Sequence, residues 1–258
     1  MSWTRLYSEP EPQRVNRWLA QSGVCSRREA EALIAKGLVS IDGERVDDPG
    51  RKIQSGQTLV LADDAQARLD SVLSVVVHKP VGIVSAQPEP GQIPAARLLT
   101  QDALWGESPV IPGRDTRLAP LGRLDMDSRG LLILSEDGVL AKALIGPASD
   151  LDKEYQVRVT GLINERKLRL LRHGLQLDGR QLKPAKIKVI GDQHISFILK
   201  EGRNRQIRRM CDLVDLHVVD LFRIRIGPLM LGDLPEGRWR PLTPDERSAL
   251  IKADHSDA

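Results

Sequence analysis

Leu121-Gly122-Arg123-Leu124-Asp125-Met126-Asp127-Ser128-Arg129-Gly130, followed by Leu131-Leu132-Ile133-Leu134, is the stretch on which the reading of this chain turns. Four aliphatics bounded by turn residues read as a buried strand. Arg123, Asp125, Asp127 and Arg129 stand just ahead of it, so carboxylates and guanidiniums sit at the edge of a packed scaffold that can support a polar site. Three readings compete. The stretch is a solvated loop with internal ion pairs. Or it is a cation loop: Asp125, Asp127, Gly130 and Glu136 match four EF-hand positions, but Arg129 replaces an Asp or Asn ligand, and Pro120 and Gly122 break any helix leading in. Or it is a catalytic carboxylate held by arginines. Pattern alone leaves these open.

Composition narrows the class. A chain of 258 residues allows one large domain or a small and a medium one. Hydrophobic content of 41% suits a fold with a real core, and 3% aromatics makes that core aliphatic. Net charge is only +3, yet the arginines cluster in short runs. Cys25 and Cys211 lie far apart with no metal spacing, as in a reduced cytoplasmic protein with buried thiols. Met1 to Gln13 has no apolar centre and does not read as a signal peptide. No apolar run approaches the ~18 residues of a membrane span.

Working outward, residues 1–13 read as a flexible lead. Val15, Trp18 and Leu19 fall at helical spacing. Ser26-Arg27-Arg28-Glu29 reads as a capping box for a second helix that buries Ala30, Leu33 and Ile34 and stops at Gly37. Val39–Ile41 is a short strand, and Asp42-Gly43 is a two-residue hairpin turn. Arg14, Arg17, Arg27, Arg28, Lys36 and Arg45 crowd this small unit, which favours a phosphate-binding face over an ordinary solvated surface. Residues 62–72 read as a linker. Ser74–Pro80 is a β-branched strand stopped by its proline. Residues 86–120 are rich in Pro and Gly, with a helical candidate from Ala95 to Leu104. After the opening stretch, Asp137 caps a helix through Leu144, and Lys153–Val159 alternates strictly as a strand carrying Tyr155. Asn164–Gly174 is helical, and Lys183–Ile190 with Ile195–Leu199 form a hairpin.

A second rich stretch runs Glu201-Gly202-Arg203-Asn204-Arg205-Gln206-Ile207-Arg208-Arg209-Met210-Cys211. Ile207, Met210, Cys211 and Val214 make one buried helical stripe, and Arg205, Arg208, Arg209 and Asp212 fall together on another face. Three arginines in one patch repel unless they meet an anion, and the helix N-terminus favours one too. Val218–Ile226 is a further strand. Thr243-Pro244-Asp245-Glu246 starts a last helix. The histidines show no ligand spacing, and Trp105 and Trp239 read as packing residues.

Two resemblances emerge from these residues. Arg14–Leu19, Gly23–Ala30 and Gly37–Gly43 together resemble an S4 RNA-binding domain, which implies docking on structured RNA. Gly-Arg-Leu-Asp before a buried strand, Lys153-Glu154-Tyr155 opening a strand and Arg-Asn-Arg-Gln-Ile-Arg-Arg-Met-Cys after Glu-Gly, with that module in front, resemble the RsuA family of bacterial ribosomal pseudouridine synthases. The likeness runs from about Arg14 to Leu250, and the arginine helix looks most like members acting on large-subunit rRNA. The resemblance implies an α+β protein: an S4-like domain of two helices and a small sheet at 14–61, and a catalytic domain at 73–251 with a mixed, mainly antiparallel sheet flanked by helices. It implies a cytoplasmic monomer acting on ribosomal RNA, with tRNA as a second candidate substrate and with neither metal nor other cofactor. Asp125 matches the catalytic aspartate, acting as an ionised carboxylate, and Arg208 matches its basic partner. Tyr155 matches the tyrosine that stacks on the flipped base. Arg123, Arg203, Arg205 and Arg209 are expected at the substrate as phosphate contacts or ion pairs, and Asp127 as a structural partner of Arg129. The chain departs from the family pattern in the long 86–120 connection and in Asp215, where a glycine commonly ends the arginine helix. Two rivals remain: an RNA-docking protein without activity, and a metal-dependent nuclease using Asp125 and Asp127.

Overall fold

The computed structural model describes residues 3–70, 72–113, 116, 118–173 and 175–253. The chain divides into two compact units, Met1–Leu73 with Glu136–Lys142, and Ser74–Ser135 with Ala143–Ala258.

In the first unit, strand β1 (Trp3–Leu6) precedes helices α1 (Val15–Gln21) and α2 (Arg27–Ala35). Strands β2 (Val39–Ile41), β3 (Glu44–Arg45) and β4 (Thr58–Leu61) follow, and the sheet order is β1-β4-β2-β3. The Ser26 capping box forms: Glu29 N donates to Ser26 Oγ at 3.2 Å, and Ser26 N donates to the Glu29 carboxylate at 2.6 Å. Asp42 and Gly43 both take positive φ, 50° and 87°, as a two-residue hairpin turn of matching twist requires.

Two expectations are corrected here. The lead is ordered from Trp3, because β1 pairs antiparallel with β4 and Tyr7 is buried edge-on against Trp18, with ring centroids 5.2 Å apart. Met1 and Ser2 lie outside the described residues. The supposed linker holds a helix, α3 (Asp63–Asp70), with Ala65 buried in the first unit's core and Leu69 packed against it. Among the described side chains of α3, Ala65 and Leu69 point inward, too few to register as a period.

The second unit is built on strands β5 (Ser74–Lys79), β6 (Arg129–Ser135), β7 (Lys153–Thr160), β8 (Lys186–Gly191), β9 (His194–Leu199), β10 (His217–Ile226) and β11 (Trp239–Pro241). Their order is β8-β9-β7-β10-β6-β5-β11. Every neighbouring pair is antiparallel except β6 and β10, which run parallel with Arg129 opposite Phe222 and Gly130 opposite Arg223. The result is the mixed, mainly antiparallel sheet of an α+β fold. Helix α4 (Gly138–Ile145) belongs to the first unit as far as Lys142, whereas helices α5 (Glu165–Arg172), α6 (Gln206–Asp212) and α7 (Pro244–Ala253) punctuate the sheet. Asp137 caps α4 by accepting from Val139 N and Leu140 N at 2.8 and 3.0 Å. Helix α5 ends at Arg172, and the expected end at Gly174 lies outside the described residues.

In the 86–120 connection the helical candidate shrinks to a 3₁₀ turn, Ala95–Leu98. The segment beyond it is held by β11 instead: the Trp239 indole donates to Thr100 O at 2.8 Å, and Trp105 N donates to Trp239 O at 2.8 Å. Trp239 is fully buried, whereas Trp105 is half exposed. Asp215 takes the left-handed conformation (φ 53°) after α6, where glycine would be more comfortable. Both cysteines are free and buried, which pushes their thiols up to about 12. No helix among the described residues is long and apolar enough to cross a membrane.

Candidate active site

The loop between Pro120 and β6 is suspended from its backbone. Leu121 N donates to Ile133 O at 2.8 Å. Ser85 brackets Leu124, accepting from its N at 2.8 Å and donating to its O at 2.7 Å. Gly82 N donates to Met126 O at 2.8 Å. Beneath lies Arg223 of β10, 1% exposed, whose guanidinium donates to Leu131 O at 2.7 Å and Gly122 O at 2.9 Å. A buried cation is thus spent on main-chain carbonyls, which fixes the loop without touching its side chains. Arg223 escaped the sequence reading, although Leu221 and Arg223 share one strand face and a period of two would have placed both inward.

That loop and the Glu201–Ile207 segment wall a cleft of about 480 Å³, within the usual size for a ligand site. Asp125, Arg123, Tyr155, Asn204 and Arg205 line it with Leu124, Ile207 and Leu221. Tyr155 is largely buried in the cleft wall, beside a shift in strand register between Glu154 and Tyr155. Such irregularities re-aim a side chain. The Arg223 guanidinium carbon lies 6.0 Å from the Tyr155 ring centroid. Asp125 keeps about a third of its side chain exposed.

Two expected ion pairs are different in the structure. Arg208 does not pair with Asp125. Its Nη2 donates to Asp127 O at 2.6 Å and Ser128 Oγ at 3.3 Å, and its Nε lies 3.3 Å from the Asp127 carboxylate without an aligned hydrogen bond. Nor does Arg208 share an exposed face with Arg205 and Arg209; it is buried. Asp125 instead faces Arg205, Nη1 to Oδ2 3.7 Å. Likewise Asp127 is not the partner of Arg129. Arg129 forks onto Asp220 at 2.9 and 2.8 Å and stacks on Phe222, while Asp127 accepts both donors of Arg205. Hydrogen bonding from Arg205, then the charge of Arg208, holds the Asp127 carboxyl below the usual carboxylate range.

The remaining arginines separate. Arg203 also lines the cleft but donates to the carbonyls of Leu177 and Gln181 at 3.2 and 2.9 Å, and Arg209, outside it, forks onto Asp178 at 3.0 and 2.6 Å. Both tether the 176–181 hairpin. Arg123 is exposed at the cleft. In the first unit Arg14, Arg17, Arg27, Arg28, Lys36 and Arg45 are all exposed. His78 is a packed histidine, with Nδ1 2.8 Å from Leu234 O and its ring stacked on Phe222.

Lys79, also missed from sequence, ends β5 with no exposed surface, and its Nζ donates to Pro80 O and Ile83 O at 2.8 and 2.6 Å. Burial pushes its ammonium down to about 8, although Asp125 and Asp127 pull the other way. The unfolded chain, with an ordinary lysine near 10.4, binds the extra proton between these values, so this group adds stability as pH rises through that window. Urea unfolding at pH 7 and pH 10 is therefore expected to show a smaller stability gain with pH in Lys79→Met than in wild type, by up to about 3 kcal/mol. An equal or larger gain in the variant would contradict the assignment.

Comparison with known proteins bears on this geometry. Residues 73–213 match the RNA pseudouridylate synthase family model, and residues 13–59 match the S4 domain model. The chain is 34% identical over 244 residues to the dual-specificity RNA pseudouridine synthase RluF of Escherichia coli strain K12, covering 93% of this chain and 78% of that protein. It is 34% identical over 250 residues to the ribosomal large subunit pseudouridine synthase B of Bacillus subtilis, covering 94% and 98%. A solved structure described as a pseudouridylate synthase superposes with a TM-score of 0.62 at 26% identity, covering 92% of this chain and 99% of the other. With the Gly-Arg-Leu-Asp loop, Tyr155 and the arginine helix all meeting at one cleft, the chain belongs to the RNA pseudouridylate synthase family.

Proposed function

We propose that the protein converts a uridine of ribosomal RNA, in the large subunit, to pseudouridine, with Asp125 as the acting carboxylate. The observation that carries this reading is a partly exposed aspartate at the mouth of a cleft whose wall holds a tyrosine ring. In the reaction the N1–C1′ bond breaks, the uracil turns and a C5–C1′ bond forms. C5 gives up a proton and N1 gains one, so substrate and product are isomers. Asp125 attacks the uridine or promotes its glycal. Tyr155 stacks on the everted base, whose departure from the RNA stack costs a few kcal/mol. Arg123, at the cleft, fills the vacated space or holds a phosphate. Arg208 acts from behind, through Asp127. Arg203 and Arg209 shape the rim rather than bind the nucleotide.

The large-subunit assignment is supported by the name of the Bacillus relative, and a second RNA substrate such as tRNA by the name of the Escherichia coli one. Exposed basic residues of the first unit, Arg14, Arg17, Arg27, Arg28, Lys36 and Arg45 among them, support docking on structured RNA by backbone and shape. A ribosomal substrate would place the protein in the cytoplasm. The nuclease rival gains no support: Arg205 presents its positive charge to both Asp125 and Asp127, where a divalent cation would have to sit.

The test is carbodiimide-based sequencing of rRNA from cells with and without this protein, and treatment of the lacking RNA with purified protein in excess EDTA. One uridine of the large subunit is expected to lose its signal without the protein and regain it in EDTA, with the strand intact. No change at any rRNA uridine, or chelator-sensitive cleavage, would overturn the reading.

A further inference from the structure

Asp125 and Arg205 line the cleft, Asp127 and Arg208 adjoin them, and these four charges are shared unevenly. Asp127 accepts from Arg205 Nη1 and Nη2 at 3.1 and 2.8 Å, stands 3.3 Å from Arg208 Nε, and offers its backbone carbonyl to Arg208 Nη2 at 2.6 Å. Asp125, two residues earlier, has Arg205 Nη1 at 3.7 Å, beyond hydrogen-bond length. One acid is bound through both oxygens by a guanidinium fork. The other is charge-compensated from a distance, with its oxygens unbonded by that guanidinium.

The backbone explains the asymmetry. Arg205 precedes α6 in the left-handed conformation, φ 48° and ψ 32°, without a side-chain cap, which costs strain for a residue with a β-carbon. There its two terminal nitrogens meet the two Asp127 oxygens end-on. A carboxylate that donates its lone pairs to a guanidinium fork is a poor nucleophile and a poor base, so which acid takes the fork decides which is free to react.

We propose that Asp127 is a positioning residue for the isomerisation: by occupying both terminal nitrogens of Arg205, its carboxylate keeps the Asp125 oxygens open to the uridine. The inference rests on Asp125 being the acting carboxylate. Its signature is a rescue. In Asp127→Asn the neutral amide, with one oxygen, no longer accepts both donors of Arg205, while the main-chain bond from Arg208 stays, and Arg205 is already within 4 Å of Asp125. Arg205 then turns its fork onto Asp125. Removing that fork as well reopens the reactive acid. A latch that only joined the loop to α6 would be weakened further by the second change.

The experiment is a single-turnover rate with enzyme in excess over a [5-³H]uridine-labelled rRNA fragment, so that any loss of RNA affinity falls on the half-saturation point and not on the rate. Asp127→Asn is expected to slow the rate by about 10²-fold, the scale of a mispositioned reacting group, with the half-saturation point little changed. Asp127→Asn/Arg205→Gln is expected to run about tenfold faster than Asp127→Asn, a coupling between contacting residues. Asp127→Glu, which keeps the charge, is expected to stay within about fivefold of wild type and carries the test if the asparagine variant does not fold. A wild-type rate in Asp127→Asn, a double variant no faster than the single, or an Asp127→Glu as slow as Asp127→Asn overturns the proposal. Asp125→Asn in the same assay separates the two layers. Turnover by Asp125→Asn removes the parent reading, whereas a silent Asp125→Asn beside an unrescued Asp127→Asn removes only the role of Asp127.

Discussion

Asp125→Asn is expected to abolish tritium release from [5-³H]uridine in rRNA while RNA binding and melting temperature stay close to wild type. The amide is nearly isosteric but carries no charge, so it can neither attack C1′ nor take a proton. Loss of a covalent or proton-accepting group in a unit of this kind costs many orders of magnitude, about 10⁴-fold or more. Folding is little touched, because among the described contacts the loop hangs from Ser85, Gly82, Ile133 and Arg223 through main-chain atoms, while the Asp125 side chain has one long ion pair. A partly exposed pair at such a distance contributes well under about 1 kcal/mol. Filter binding and calorimetry on the same preparation check the two invariances, and turnover near wild type would disprove the assignment of the acting group.

Gly130→Ala is expected to do the reverse: melt the catalytic unit first and lose activity as a result. Gly130 has φ +114°, a conformation closed to residues with a β-carbon. An added β-carbon would press into Arg223 O, lie 2.8 Å from Arg223 N and 2.9 Å from Phe222 Cδ2. Two of these three atoms are backbone of the neighbouring central strand, which cannot yield without opening the β6–β10 pair. Strain plus overpacking is expected to cost about 3–5 kcal/mol, or roughly 10 °C in melting temperature for a unit of this size. Scanning calorimetry decides it. A melting temperature within about 2 °C of wild type would show that the strands separate more easily than the close approach implies.

The fold was legible where one signal dominated. The Ser26 capping box, the Asp42-Gly43 turn and the alternation of Lys153–Val159 each act over a few residues, and each forms in the structure. Segments fixed by distant partners were not. Trp3–Leu6 is a strand because β4 offers it an edge, and α3 packs, among its described side chains, through Ala65 and Leu69, too sparse a signal to read as a period. The same division runs through the site. Asp125, Tyr155 and Arg205 reach one cleft as their motifs implied, yet which guanidinium meets which carboxylate was not legible. The helical period puts Arg205, Arg208 and Arg209 on one face, but Arg205 lies ahead of the helix in a left-handed turn and Arg208 is drawn inward to Asp127 O. Arg223 and Lys79 were hidden for a related reason: a buried cation satisfied by main-chain carbonyls leaves no acidic partner in the sequence to pair with it.

The parallel pairing of β6 with β10 has a kinetic consequence. It joins Arg129–Gly130 to Phe222–Arg223, segments more than ninety residues apart, and no hairpin can nucleate it. Nascent chains already carrying the reactive acid, its aromatic neighbour and the basic helix still lack the ribbon that welds them into one body. Catalytic competence is thus expected to wait on this long-range pairing, because β10 lies between β7 and β6 in the sheet.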